Sequence, residues 1–298
     1  MQTIKNLILP VAIILGFFFH EFFAKLGNIV PYLIFCMLFI TYCDLHLKNI
    51  RIGKFHISML LFQIITGVTL YFSIQAFNLP LAQGLMVTAL VPTATAAVVV
   101  AGMLGADIGT MTIYTLICNV AMAVICPLVF SFAGNVDVSL GITMLTVFRK
   151  VFPLLILPLL LALFLKRIFP KTAHKIVEHK YISFYIWSVS LTIVIGRTIN
   201  DIFTQSESQY SLFIIMTTAA LLLCILQFAV GKRIGKRYGD IVAGGQAVGQ
   251  KNTVLAIWMA QTFLAPMSSL VPAMYIIWQN LYNSYQIWQK NKKEKTTK

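Results

Sequence analysis

The most polar stretch inside an otherwise apolar run is Gln246-Ala247-Val248-Gly249-Gln250-Lys251-Asn252-Thr253. Its lysine invites a chemical reading. An ammonium group in the middle of a bilayer costs about 2.5–3.5 kcal/mol on insertion scales, so it must face a cavity or a partner. There it can bind an anion, or it can stand as a fixed positive charge where an ion would otherwise sit. The other reading is a lysine that snorkels to the membrane surface. Leu255–Leu264 continues for about three apolar helical turns beyond it, which favours the buried position. Gln250, beside Lys251, offers a further oxygen for an ion or for coupling. Elsewhere Gln63 lies within an apolar run, and Thr112, Thr115 and Asn119 repeat at i, i+3 and i+7, one face of a helix. Gln279, Asn280 and Asn283 share a side in the same way. Each group alone is most simply an interhelical hydrogen bond.

Such residues need elements that hold them in lipid. Of 298 residues, 59% are hydrophobic and 11% charged, against roughly 25% charged in a soluble domain. Apolar stretches of about 20 residues recur, the length that crosses a hydrocarbon core of roughly 30 Å. Ten are read, at 6–23, 29–47, 55–77, 80–104, 108–132, 148–167, 181–200, 209–231, 241–264 and 266–289. Residues 138–147 read as a surface segment, and 291–298 as a charged, disordered cytoplasmic tail. The first apolar run, after Lys5, reads as an uncleaved helix, since no small-x-small cleavage pattern follows it. The five cysteines fall inside apolar runs and the five histidines make no ligand set, so neither disulfides nor a metal is implied.

The net charge of +14 does not point to nucleic acid, because the cations sit in short segments between apolar runs. With the N-terminus inside, ten spans put Lys48, Arg51 and Lys54 in the cytoplasm, with the cluster from Lys166 to Lys180. Lys232, Arg233, Lys236 and Arg237 fall there too, as does the tail with Lys290, Lys292, Lys293, Lys295 and Lys298. Glu21, Asp137, Asp201 and Glu207 fall opposite. This Lys/Arg bias places both termini in the cytoplasm of a cell (inner) membrane, with Arg149 and Lys150 as exceptions.

Ten spans divide into two sets of five, residues 1–133 and 138–290, and an odd number per set gives them opposite orientations. The fourth span of the first set is interrupted by Pro92-Thr93-Ala94-Thr95, and the fourth of the second by Gly244-Gly245-Gln246 through Gly249 to Asn252. Interrupted spans at corresponding positions of two halves point to a transporter's binding site. A broken helix frees amides and carbonyls that lipid cannot satisfy. Half-helix N-termini then suit anions, and half-helix C-termini suit cations.

Three motifs resemble those of the bile acid:sodium symporter family. They are the proline-led break from Pro92 to Asp107, Ala247-Val-Gly-Gln-Lys-Asn252 against Glu-x-Gly-x-Gln-Asn, and Trp278-Gln279-Asn280 against Trp-x-Asn. The resemblance runs through the whole chain. It implies an all-α polytopic membrane protein of ten transmembrane helices, built as two inverted five-helix repeats with broken, crossed helices 4 and 9. Helices 3–5 and 8–10 would form a core and helices 1, 2, 6 and 7 a panel. It also implies that Thr95, Asn252, Gln279 and Asn280 contact an organic anion, with Gln63 and Thr115 at sodium-ligand positions. The departures are chemical: Ala97, Val98, Met111 and Ala247 stand where the family has oxygen ligands, and Lys251 stands where it has a glutamine. Sodium needs hard oxygen donors, so both sodium sites are dismantled.

The reading is a secondary transporter of a small organic anion, carboxylate or bile-acid-like, sodium-independent or proton-coupled. No cofactor is implied beyond a coupling proton or sodium ion, and no partner beyond the substrate and the lipid bilayer. A sodium-coupled symporter of the same family is the alternative, with a channel-like or sensory membrane protein behind it. An intramembrane enzyme is disfavoured: there is no HExxH, no GxSxG and no paired-aspartate motif.

Overall fold

A computed structural model of the chain describes residues 2–45, 51–133, 140–204 and 210–296. Lys48, Asp137, Glu207 and Lys298 lie outside the described residues. The described chain is nearly all helix: α1 (Gln2–Phe18), α2 (His20–Lys25), α3 (Val30–Cys43), α4 (Lys54–Ile74), α5 (Leu79–Leu90), α6 (Ala96–Leu104) and α7 (Ile108–Ala133). There follow α8 (Leu140–Ile168), α9 (Pro170–Glu178), α10 (Tyr181–Phe203), α11 (Tyr210–Arg237), α12 (Ile241–Gly249), α13 (Thr253–Phe263) and α14 (Leu270–Thr296).

Among the described residues, five helices are each long and apolar enough to cross a membrane: α4, α7, α8, α10 and α11. Their outward faces carry large apolar side chains such as Leu61, Leu160, Phe164, Leu222 and Ile225, all exposed. Polar groups such as Gln63, Asn119, Gln246 and Lys251 are turned inward. This inverts the soluble pattern and fits a hydrocarbon solvent. The chain is a multi-pass membrane protein.

Several sequence expectations shift at their edges. Residues 140–147 do not form a separate surface segment; they are the first turns of α8. At 1.5 Å per residue α8 is about 43 Å long, so its first turns, with exposed Arg149 and Lys150, reach past a core of about 30 Å. The charged tail is helical as far as Thr296, continuing α14, rather than disordered. A short amphipathic helix, α9, fills the basic segment after α8.

The helices gather into two compact units. One holds α1–α3, α7 from Ala123 onward, α8–α10 and α13; in it α10 packs on α1, α2 and α3, and α3 packs on α8. The other holds α4–α6, α7 up to Met122, α11, α12 and α14. There α11 packs on α12 and α14, and α4 packs on α5. The α11–α12 contact is close because glycines make it so: a Cβ on Gly231, Gly235 or Gly244 would collide with main-chain atoms of the facing segment. Gly244 and Gly245 therefore do not interrupt the helix; both lie inside α12, where they allow close packing on α11.

Candidate functional site: two paired helix breaks

The site lies in the second unit, where α5 gives way to α6 and α12 stops short of α13. Pro92 explains the first break: its ring disfavours a helical residue before it, and Val91 is extended at φ −54, ψ 143. The second break begins at Gln250, extended at φ −97, ψ 100. Gly249 is the last residue of α12, seated against the Phe228 ring with no room for a Cβ. The two interruptions pair as a short antiparallel bridge between Thr93 and Lys251. Ala94 N donates to Gln250 O at 3.0 Å, and Asn252 N donates to Pro92 O at 2.9 Å.

Most of the freed carbonyls find donors supplied by the protein, as buried main chain requires. Lys251, 1% exposed, turns its ammonium onto the C-terminal end of α5, donating to Ala89 O at 2.8 Å and reaching Val91 O at 3.4 Å. Gln63 Nε2 donates to Leu90 O at 2.9 Å and Val91 O at 3.0 Å. The Thr93 hydroxyl donates to Ala247 O. Tyr275 Oη donates to Gly249 O at 2.7 Å. Gln279 clamps the residue between: its Oε1 accepts from Lys251 N at 2.8 Å and its Nε2 donates to Lys251 O at 3.3 Å.

The structure thus brings Gln63, Pro92, Thr93, Gln250, Lys251, Asn252 and Gln279 into one cluster. The oxygen of Gln63 is engaged, accepting from Tyr114 Oη at 3.1 Å and Cys118 Sγ at 3.6 Å. Thr115 and Asn280 bond within their own helices, to Met111 O at 2.9 Å and Ile276 O at 2.7 Å. Thr95 precedes α6 without a side-chain cap and is partly exposed, as is Asn280. Ala97, Met111 and Ala247 are fully buried and, with Val98, offer no side-chain oxygen. Among the described residues of this unit, the buried polar atoms that lack a hydrogen-bond partner include Gln246 Oε1, Gln250 Oε1, Asn283 Nδ2 and Asn119 Oδ1. Gln246 and Asn283 meet through a single bond of 2.8 Å, which leaves each amide half used.

Sequence reasoning missed Tyr114 and Tyr275 as members of the site. Their signal was available, since a tyrosine in an apolar run brings a hydroxyl that needs a partner once buried. Thr115 drew attention one residue away from the side chain that reaches Gln63.

Elsewhere in this unit, two aspartates cap helices. Gly105 (φ 93) ends α6 and Gly239 (φ 85) follows α11, both left-handed positions that suit glycine. Asp107 then accepts from the amides of Gly109 and Thr110, and Asp240 accepts from Ala243 N. Asp240 Oδ2 also accepts from Asp107 N at 2.9 Å, joining the two turns. The Thr110 hydroxyl, donating at 2.6 Å, holds the Asp107 carboxyl below the usual carboxylate range.

The model of the SBF-like CPA transporter family matches residues 11–289. The chain belongs to that family. Comparison with individually curated proteins finds no match. The match spans both helix breaks and every candidate residue above. The protein is accordingly a membrane transporter, of the kind related to bile acid:sodium symporters.

Proposed function

We propose that this transporter carries a small organic anion across the cell membrane by alternating access, without requiring sodium. In this reading ten spans form two inverted five-helix repeats, the paired breaks are crossed helices 4 and 9, and both termini are cytoplasmic. One observation carries it: the ammonium of Lys251 lies against the carbonyls that end α5. A half-helix C-terminus is where partial negative charge would hold a coupling cation. Here the protein supplies that cation itself. A sodium ion brought within about 4 Å of it would meet repulsion of roughly 4 kcal/mol at an effective dielectric of 20, about a thousandfold in affinity.

An anionic substrate is supported by the N-terminal end of α6, which has no side-chain cap and follows partly exposed Thr95, and by partly exposed Asn280, the residue after Gln279 on α14. With Lys251 and Gln279 engaged by main chain, Thr95, Asn252 and Asn280 are the residues assigned to direct substrate contact. Lys251 and Gln279 hold the frame, and Gln250 and Thr115 remain candidates for ion coupling. Sodium-coupled symport is the second reading. It rests on Gln250 Oε1 and Asn119 Oδ1, buried oxygens without a partner.

Uptake of a carboxylate panel into proteoliposomes, under separately imposed sodium and pH gradients, tests this. Uptake at full rate without sodium is the expected result. Where proton release from Lys251 drives the cycle, uptake follows the pH gradient and Lys251→Gln removes that dependence. Acceleration by a sodium gradient alone would establish the second reading, and preferential uptake of organic cations would remove the anion assignment.

A further inference from the structure

The other unit carries a second polar feature, unrelated to the helix breaks. Between the C-terminal ends of α3 and α8 and the face of α9 lies a cavity of about 180 Å³, lined by Cys43, Lys166, Pro170, Ala173, His174 and Val177. Its walls differ in character. Ala173, buried, and Val177, half-buried, turn inward from α9, while Lys171, His174 and Lys175 are exposed on the same helix. Pro170 opens α9, and no side chain caps that end, so the helix presents its positive pole beside the cavity. Lys166 leans over from α8, donating to Leu45 O while keeping further N–H groups to offer.

Cationic charge around this cavity outnumbers its acids. Lys166, Arg167, Lys171, Lys175 and Lys180 stand against Asp44 and Glu178. Lys180 pairs with Asp44 at 2.8 Å, and Glu178 pairs with His174 at 3.4 Å. Among the described residues Lys166 and Arg167, at the end of α8, and Lys171 and Lys175, on α9, have no acid within 4 Å.

We infer that this cavity is a binding site for the phosphate headgroup of an anionic phospholipid. The phosphate sits at the open end of α9 between Lys166 and His174, and the glycerol backbone lies along Ala173 and Val177. Lys171 and Lys175 add attraction from the rim. An uncapped helix N-terminus and converging cations recognise phosphate, a cluster of four or more basic residues beside a membrane span favours anionic lipid, and the apolar wall favours a lipid over a free ion. The site binds lipid whatever the transported substrate proves to be.

The full-length protein, purified in a neutral detergent, tests this by thermal unfolding with added phosphatidylglycerol or phosphatidylcholine. The variants are Lys166→Gln/Lys171→Gln/Lys175→Gln and, as a charge-matched control, Lys236→Gln/Lys292→Gln/Lys293→Gln. Phosphatidylglycerol should raise the midpoint of the unmodified protein and of the control at concentrations where phosphatidylcholine does not. The α9-region variant should need about a hundredfold more, near fivefold for each charge removed. The double variant Lys171→Gln/Lys175→Gln, confined to exposed side chains, keeps the test usable if loss of Lys166 prevents folding. Equal protection by both lipids, an unchanged α9-region variant, or equal loss in the control would overturn the inference. Protection by inorganic phosphate or glycerol phosphate at the same concentration would overturn it too, by assigning the cavity to a free anion.

Discussion

A lysine in the interior of a membrane protein keeps its charge only where fixed dipoles replace water, and the carbonyls closing α5 are such dipoles. Removing the ammonium while keeping the bulk, as in Lys251→Met, leaves Ala89 O short of a donor, whereas Val91 O keeps Gln63, at a cost of about 1–3 kcal/mol of stability. Adjacent residues of one motif should then separate by role. Gln279 is 4% exposed and holds both main-chain groups of Lys251, whereas Asn280 is partly exposed and bonds only to its own helix. Gln279→Ala should lower the thermal midpoint and reduce folded yield, because Lys251 N loses its side-chain acceptor and Lys251 O keeps only the donor Thr253 N. Asn280→Ala should leave the midpoint within about a degree and weaken substrate uptake. Thermal unfolding and uptake measured on both variants check this, and equal destabilisation by the two would contradict the division.

At the level of elements, packing decides more than local preference. The glycines of α11 and α12 look like helix breakers, yet their missing side chains let two helices touch. Gly244→Ala and Gly235→Ala should each destabilise by more than the roughly 1–3 kcal/mol of ordinary overpacking, since the atoms they meet are main chain and cannot turn aside. Gly141→Ala, with nothing within 4 Å of the added carbon, should be neutral or mildly stabilising. Folded yield by fluorescence-detected size exclusion ranks the three. The capping aspartate Asp107 gives a pH signature. Because the folded carboxyl of Asp107 ionises more readily than an ordinary aspartate, its contribution is fully present above about pH 4 and is lost as pH falls through the folded value. Asp107→Asn should remove that part of the acid destabilisation, read as the change in thermal midpoint between neutral and acid pH. These elements also mark how far sequence carries. Pro92 announced its break because a proline withholds an N–H and constrains the residue before it. The second break was read too early, from Gly244 to Asn252, since a glycine kept for close contact is indistinguishable in sequence from one kept for flexibility. Helix α9 was hidden because its cations were absorbed into a count of loop charge, and the partners of Lys251 could not be named, because main-chain carbonyls leave no trace in composition.

For the whole molecule, apolar composition made the membrane legible at once, and family membership and the outward apolar faces agree with it. The number of crossings is harder. Among the described residues five helices reach spanning length as single apolar segments, while α5, α6, α12 and α13 are each shorter. At 1.5 Å per residue the 12 residues of α5 cover about 18 Å and the 9 of α6 about 14 Å, so neither alone traverses a core of roughly 30 Å. If each pair counts as one crossing, and α1 with α2, α3 and α14 as one each, the total is ten and the two chain ends share a side. On the proposed topology that side is the cytoplasm, a reading that rests on the cations ending α8, α11 and α14, since membrane insertion favours keeping such residues inside. Single cysteines in a background lacking the native thiols, labelled by a membrane-impermeant maleimide in intact cells and in inverted vesicles, measure it directly. Phe77→Cys in the turn after α4 and Thr204→Cys after α10 should react from outside. Lys171→Cys on α9 and Lys292→Cys near the end of α14 should react only in inverted vesicles. Labelling of Lys292→Cys from outside, with Lys171→Cys still inside, would mean an odd number of crossings after α9, and the division into five and five would fall with it.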